Sequence, residues 1–306
     1  MAKVLGVIGA TGQQGGSVVD FVLNDPELKS LYAIRAFTRD ASKPAAQVLA
    51  AKGVDVVQGD AGDPASLKKG LTGVDTLFFM TTMMPGSGVS KDDIGKAIAD
   101  AAVEAGVNYI IFSTLPSSES ISMGKEPVPH FDNKAKVEQH IRYLPVKSSF
   151  YCPGCFMQNF VTNTAPQPQP DGSLVIQCTI GGGTNIPMID VVGDTGNYVG
   201  AILAQPEKYE GKLLLAVSEF TNFNKVAKTM SKVYDKQISY QQVDKKDYLT
   251  FLPEALRKDM ISMFSYYDDF GFYGSKTEVL FNENEKSPRA PVTSLTDFFK
   301  KSPFNA

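Results

Sequence analysis

Apolar residues come in short unbroken blocks over the first third of the chain, and each block is followed by a stretch with helical spacing. Val4 to Ile8, Ala33 to Thr38, Val54 to Gln58, Thr76 to Met80 and Tyr109 to Ser113 read as strands, the fourth almost wholly apolar. Ser17 to Leu23, Pro44 to Lys52, the segment around Pro64 to Gly70 and the alanine-rich Asp92 to Ala105 read as helices, two of them closed by Gly53 and Gly106. A strand buried on one face alternates apolar and polar residues, whereas one buried on both faces is continuously apolar, as in a parallel sheet covered by helices. Right-handed crossovers then wind the chain into a Rossmann-type doubly wound α/β sheet.

The alternation weakens beyond Lys134. Pro166, Pro168 and Pro170 exclude a helix or a central strand from 166 to 172 and mark a loop near a domain boundary. A strand at Leu174 to Thr179, a turn at Gly181-Gly182-Gly183, a helix at Asp194 to Ala204 and an amphipathic stretch at Asn224 to Tyr234 follow. We therefore expect a Rossmann domain over residues 1–155, rejoined by residues 186–205, and a smaller α+β lobe over residues 156–306. The tract from Tyr248 to Tyr273 holds Phe251, Phe264, Tyr266, Tyr267, Phe270, Phe272 and Tyr273. So many rings either form the core of the small lobe, the commoner use, or line a pocket or partner groove.

Composition narrows the function classes. With 306 residues, 43% apolar and 21% charged, the chain has the makings of a large globular core. The formal charge of −3 comes from cations and anions interspersed without a basic stripe, so no direct nucleic-acid contact is expected. Three cysteines without an even framework suit a reducing compartment, and two histidines without a cysteine pair at ligand spacing suggest no metal site. The first strand begins too early for a secretory leader and no apolar run spans a membrane, so the expectation is a cytoplasmic protein, with the nucleus as a further compartment.

The most informative motif directly follows the first strand: Gly9-Ala10-Thr11-Gly12-Gln13-Gln14-Gly15. Residues without a Cβ permit a tight turn, close approach of backbone to a pyrophosphate and close helix-to-strand contact, and the helix N-terminus meets the phosphates with free N–H groups. The spacing, G-x-x-G-x-x-G, departs from the commoner G-x-G-x-x-G, and the strand-turn-helix context carries the assignment. An acidic residue at the end of the second strand would select NAD, and cations NADP. Here the strand ends in Thr38-Arg39, with Lys43 four residues on, which favours the 2′-phosphate of NADP(H), although Asp40 could take the acidic role. Asp60, after the third strand, is placed for the adenine edge or caps a helix, and Thr81 with Thr82, after the fourth, flanks the nicotinamide side.

The motifs G-A-T-G-Q-Q-G-G at Gly9 to Gly16, T-R-D at Thr38, V-V-Q-G-D at Val56, H-F-D-N-K at His130, P-G-C-F-M-Q-N at Pro153 and the stretch Met188 to Asp194 together cover most of the chain, and the sequence resembles the NmrA-like family, a branch of the atypical short-chain dehydrogenase/reductases. The resemblance implies an NADP(H)-binding Rossmann domain, a smaller lobe and a cleft between them. It further implies cofactor contacts from Gly9 to Gln14, Arg39, Lys43, Asp60, Ala61, Thr81, Thr82, Met83, Lys134, Phe156, Met157, Gln158 and Asn159. The wider superfamily uses Tyr-x-x-x-Lys on one helix face, where the lysine clamps the ribose and lowers the tyrosine pKa. Here His130 stands in the tyrosine's place and Lys134 is retained, so His130 is either a proton-exchanging group or a structural hydrogen-bonder. Cys152-Pro153-Gly154-Cys155 has the C-x-x-C spacing of redox pairs, but it ends a strand where such pairs open a helix.

Two functions follow. The missing tyrosine favours a redox-sensing regulator, in which NADP(H) occupancy changes conformation and through it dimerisation or recognition of a protein partner. The alternative is an NADPH-dependent reductase of a quinone, imine or similar conjugated electrophile, with protons from His130, Tyr151 or water.

Overall fold

The computed structural model describes residues 2–59, 63–81, 91–284 and 286–304. Its strands are β1 (Lys3–Ile8), β2 (Tyr32–Thr38), β3 (Asp55–Gln58), β4 (Thr76–Met80), β5 (Tyr109–Ser113), β6 (Lys147–Pro153), β7 (Cys155–Phe156), β8 (Gln167–Pro168), β9 (Leu174–Cys178), β10 (Ile186–Ile189), β11 (Leu213–Ala216), β12 (Glu219–Thr221) and β13 (Ile238–Gln242). Seven of them form one sheet in the order β11-β6-β5-β4-β1-β2-β3, parallel at every pairing. This is the doubly wound arrangement that the continuous apolar strands imply.

Both faces of that sheet are buried, and alternate residues of one strand go to different cores. Phe78 of β4 and Ile111 of β5 meet Val18, Val22, Val199 and Ile202 from the helices Gln13–Asn24 and Val191–Ala204. Leu77, Phe79, Ile110 and Phe112 point the other way, onto Ile98, Ala102, Val137 and Ile141 of the helices Lys91–Glu104 and Pro129–Tyr143. At the far edge β3 is only half buried, and Arg35 of β2 reaches across it to Asp55 at 2.7 Å.

Two smaller sheets, β12-β10-β7 and β13-β9-β8, share a third core with the helices Phe223–Tyr234, Glu254–Phe270 and Leu295–Lys301. The proline-rich segment contributes only the two-residue edge strand β8, where a missing N–H donor is tolerated. Most of the aromatic tract is core: Phe264, Tyr266, Tyr267, Phe272 and Tyr273 are buried, and Phe131 of the helix Pro129–Tyr143 inserts among Tyr266, Tyr267 and Phe272. Phe270 and Tyr273 also line a cleft, described below; the side chain of Phe251 lies outside the described residues.

Two helix starts differ from the sequence expectation by several residues, and one helix was not expected. The first helix begins at Gln13 and not at Ser17, because the glycine turn forms its opening turn. The helix Val191–Ala204 starts three residues before Asp194, since Asp190 caps it by accepting from the Val192 and Gly193 amides. A short helix, Pro26–Leu31, occupies a stretch without helical periodicity; Asp25 caps it through the Leu28 amide. Among the described residues no helix is long and apolar enough to cross a membrane.

Near its C-terminus the chain returns to the large sheet as a strap. Arg289 bonds Asp25 and Glu27, Asn197 exchanges two hydrogen bonds with Ala290, and Asp194 accepts from the Thr293 amide and the Ser218 hydroxyl, both at 2.9 Å. Burial pushes the Asp194 carboxyl above the ordinary value of 3.8, with the charge of Asp190 adding to the rise and the Thr293 and Ser218 bonds opposing it. A folded pKa above the unfolded one means that the folded state holds the proton more tightly, so stability falls as pH rises from the unfolded value through the folded one. Asp194→Asn keeps an acceptor without the charge. In urea melts this variant should gain on the wild type as pH rises from about 4 to neutrality, and a difference independent of pH would contradict the assignment. Asp194→Ala, which strands the part-buried Thr293 amide, should lose about 1–3 kcal/mol.

Candidate functional site

Strand order reverses between β1 and β4, and open α/β sheets bind ligands at such a point, outside the carboxyl ends of the strands. The glycine turn lies there. Gly9 has φ +83, a conformation open to a residue without Cβ, and a Cβ at Gly15 would run into the Gly9 carbonyl. Gly12 is the N-cap of the helix Gln13–Asn24 and brings no side-chain cap, so the first-turn N–H groups remain available to an anion. Thr11, Gly12 and Gln13 are exposed, Ala10 is buried, and the buried Oε1 of Gln14 has no hydrogen-bond partner among the described residues. An uncapped, exposed helix start fits a phosphate-bearing ligand.

At the end of β2 the structure separates the three charged candidates. Asp40 is tied into its own turn, its Oδ1 accepting from the Ser42 hydroxyl at 2.6 Å and the Ser42 amide at 2.9 Å, and these bonds hold the carboxyl below the usual range. Arg39 is exposed and has no hydrogen bond or ion pair among the described residues. Lys43 forms the N-cap of the helix Pro44–Ala51. Asp60, Ala61, Thr82 and Met83 lie outside the described residues.

At the ends of β4 and β5, Lys134 donates to the carbonyls of Thr81 at 3.2 Å and Ser113 at 3.1 Å. Its ammonium is thus held at the mouth of the sheet by the backbone of Ser113, a residue whose buried hydroxyl has no hydrogen-bond partner among the described residues. The H-F-D-N-K segment is organised by Asp132, which accepts from the Ser118 hydroxyl at 2.7 Å and from the Glu119 and Val128 amides, knotting the loop after β5 to the helix start. His130 lies one turn before Lys134 on the same face, and its Nδ1 is 2.8 Å from Asp259 Oδ2 of the helix Glu254–Phe270. A cleft of about 1010 Å³ lies on the opposite face of the His130 helix, lined by Ala135, Lys136, Gln139, Phe270 and Tyr273 among others.

Residues 156–159 run past the same mouth. Met157 is wholly buried in the third core, which leaves its backbone as the part open to a ligand. Phe156 and Asn159 are half-buried, and Gln158 grips the start of the helix Val191–Ala204, donating to Asp190 at 2.6 Å and accepting from the Val191 amide.

Asp259, Ser113 and Asp190 were missed by sequence reasoning. Asp259 sits 129 residues from its partner inside an aromatic tract and carries no local signal. Ser113 was read as the end of a strand. Its position at a carboxyl end was the available signal.

The three thiols are free. Burial pushes Cys155 and Cys178 up to about 12, and Cys152 well above its ordinary range; Cys155 Sγ rests 3.7 Å from the Tyr267 hydroxyl. Such groups are thiols, not thiolates, at neutral pH.

A family model described as the NmrA-like family matches residues 1–293. An NmrA-like family domain-containing protein of Dictyostelium discoideum is 28% identical over 98% of this chain and 98% of its own length. An NmrA-like oxidoreductase of Penicillium ochrochloron is 29% identical over 79% and 76%. Among solved structures, the negative transcriptional regulator NmrA in complex with NADP aligns with a TM-score of 0.83 at 22% identity, covering 98% of this chain and 95% of that one. An NADPH-dependent quinone oxidoreductase of Escherichia coli, complexed with NADPH, aligns at 0.78 and 21% identity, covering 97% and 99%.

The cysteine assignment predicts slow labelling of the native protein by a chromogenic thiol reagent at neutral pH, and rapid labelling of all three residues after denaturation. Fast native labelling of Cys152 or Cys155, or a disulfide between them under mild oxidation, would restore the redox reading of the C-x-x-C pair.

Proposed function

The chain belongs to the NmrA-like family, and from that premise we propose that it binds NADP(H) across the carboxyl ends of β1, β2, β4 and β5 and reduces a small conjugated electrophile of the quinone or imine class. The observation that carries the reading is the His130–Lys134 pair, one imidazole fixed by a carboxylate and one ammonium fixed at the mouth of the sheet. The cofactor, when bound, supplies the hydride. The uncapped start of the helix Gln13–Asn24 would meet the pyrophosphate, and Arg39 with Lys43 the 2′-phosphate. Asp40 already uses Oδ1 on Ser42, which supports the neighbouring cations over the acid as the group that meets the ribose end. Lys134 would hold the nicotinamide ribose, and His130 a proton for the reduced substrate. The NADP-bound and NADPH-bound structural neighbours support the cofactor, and the fungal and bacterial oxidoreductases the reaction class.

A second reading, the redox-sensing regulator, is favoured by one observation: the His130–Asp259 bond joins the helix at the strand ends to the helix Glu254–Phe270 of the third core. A change at the nicotinamide end could reach that core through it. Regulation requires only that oxidised and reduced cofactor differ in affinity for two conformations.

Calorimetric titration tests the cofactor assignment. Arg39→Ala should weaken NADPH binding about 10- to 100-fold, the worth of a charged hydrogen-bonded contact, and leave NADH nearly unchanged; equal losses for both would remove the 2′-phosphate role. Turnover is tested by the loss of NADPH absorbance with a panel of quinones and imines, where Lys134→Met should raise the Kd for NADPH and slow the reaction. If nothing is reduced while NADPH alters oligomeric state or partner binding, the regulator reading replaces the reductase.

A further inference from the structure

We infer that Asp259 is a positioning residue for His130, holding its ring so that Nε2 delivers a proton to the reduced substrate; the inference rests on the reductase reading above. The carboxylate grips one residue at two points. Its Oδ2 lies 2.8 Å from His130 Nδ1, and its Oδ1 accepts, more weakly, from the His130 backbone amide at 3.4 Å. A second restraint comes from Phe131, whose ring stands edge-on to the imidazole at 4.8 Å and 89° and is itself set among Tyr266, Tyr267 and Phe272. Ring and backbone are therefore both fixed by the element that carries Asp259 and the aromatic residues after it.

The consequence is chemical. A carboxylate accepts hydrogen bonds and does not donate them, so Nδ1 must carry the proton in either charge state of the ring. Exchange is left to Nε2, which has no hydrogen-bond partner among the described residues, on a side chain that is 25% exposed. The helical spacing puts this nitrogen's ring on the same face as Lys134, whose ammonium marks the mouth of the sheet. Hydride addition to the electrophilic carbon leaves an electron pair on the substrate's oxygen or nitrogen. The doubly protonated imidazole gives its Nε2 proton to that atom, remains neutral with Nδ1–H on Asp259, and is reprotonated by solvent. A half-exposed ion pair by itself would add little to stability, so the orientation of the ring is the larger effect.

The test combines a spectroscopic readout with kinetics. Histidine-selective isotope labelling and NMR report which ring nitrogen carries the proton, and His140→Gln assigns the two histidines. The neutral His130 ring should be the Nδ1–H form in the wild type, should revert to the Nε2–H form preferred by free histidine in Asp259→Ala, and should recover in Asp259→Glu. The kcat for a quinone should fall about 100-fold in Asp259→Ala, with the Kd for NADPH unchanged, and His130→Ala should add nothing to it in the double variant. An Nε2–H ring in the wild type, or undiminished turnover in Asp259→Ala, would overturn the inference and leave the reductase reading intact. Absence of turnover in a wild type that binds NADPH would instead overturn the reductase reading, and the proton-donor role with it.

Discussion

A sheet that is parallel from edge to edge must be covered on both faces, and this constraint organises the molecule. The helices that follow β4 and β5 in sequence cover one face. The other needs the helix Val191–Ala204, which arrives some eighty residues after β5 and lies against the helix Gln13–Asn24. That return explains why β11 extends the sheet at its edge and why the strap at residues 289–293 is held by part-buried polar contacts. With both faces occupied, the carboxyl ends of the strands are where backbone groups remain available to a ligand.

The helix Pro129–Tyr143 shows how closely site and core are joined. Val137 and Ile141 pack under the sheet, Phe131 enters the third core, Asp132 ties down the loop after β5, and His130 with Lys134 occupies the remaining face. Four of the five positions in H-F-D-N-K thus answer to different environments. The cleft behind the helix touches Ala135 and Gln139 on its opposite side, so the helix is a wall shared by two spaces.

Electrostatics separates groups that look alike in the sequence. Arg39 and Asp40 are adjacent, yet the acid is consumed by its own turn while the cation stays exposed and unpartnered among the described residues. Cys152 and Cys155 have redox spacing, but burial keeps them protonated, outweighing the opposing charge of Lys134 on Cys152. Motif spacing decides which atoms could meet. The local dielectric and hydrogen bonds decide what those atoms do.

The sequence by itself determined the order of the strands through β5, the parallel character of the sheet and the position of the glycine turn. Each follows from short-range causes: periodicity of burial, backbone freedom at Gly9 and capping chemistry next to the helix concerned. Lys134 became visible through the resemblance to the Tyr-x-x-x-Lys pattern, which the helical spacing from His130 matches. Only the tertiary structure decided that the aromatic tract is chiefly core, that Met157 turns inward, that Asp40 is spent on Ser42 and that Asp259 holds His130. These depend on which distant surfaces come together when the apolar faces are buried, and a contact across 129 residues leaves no periodic trace in either segment.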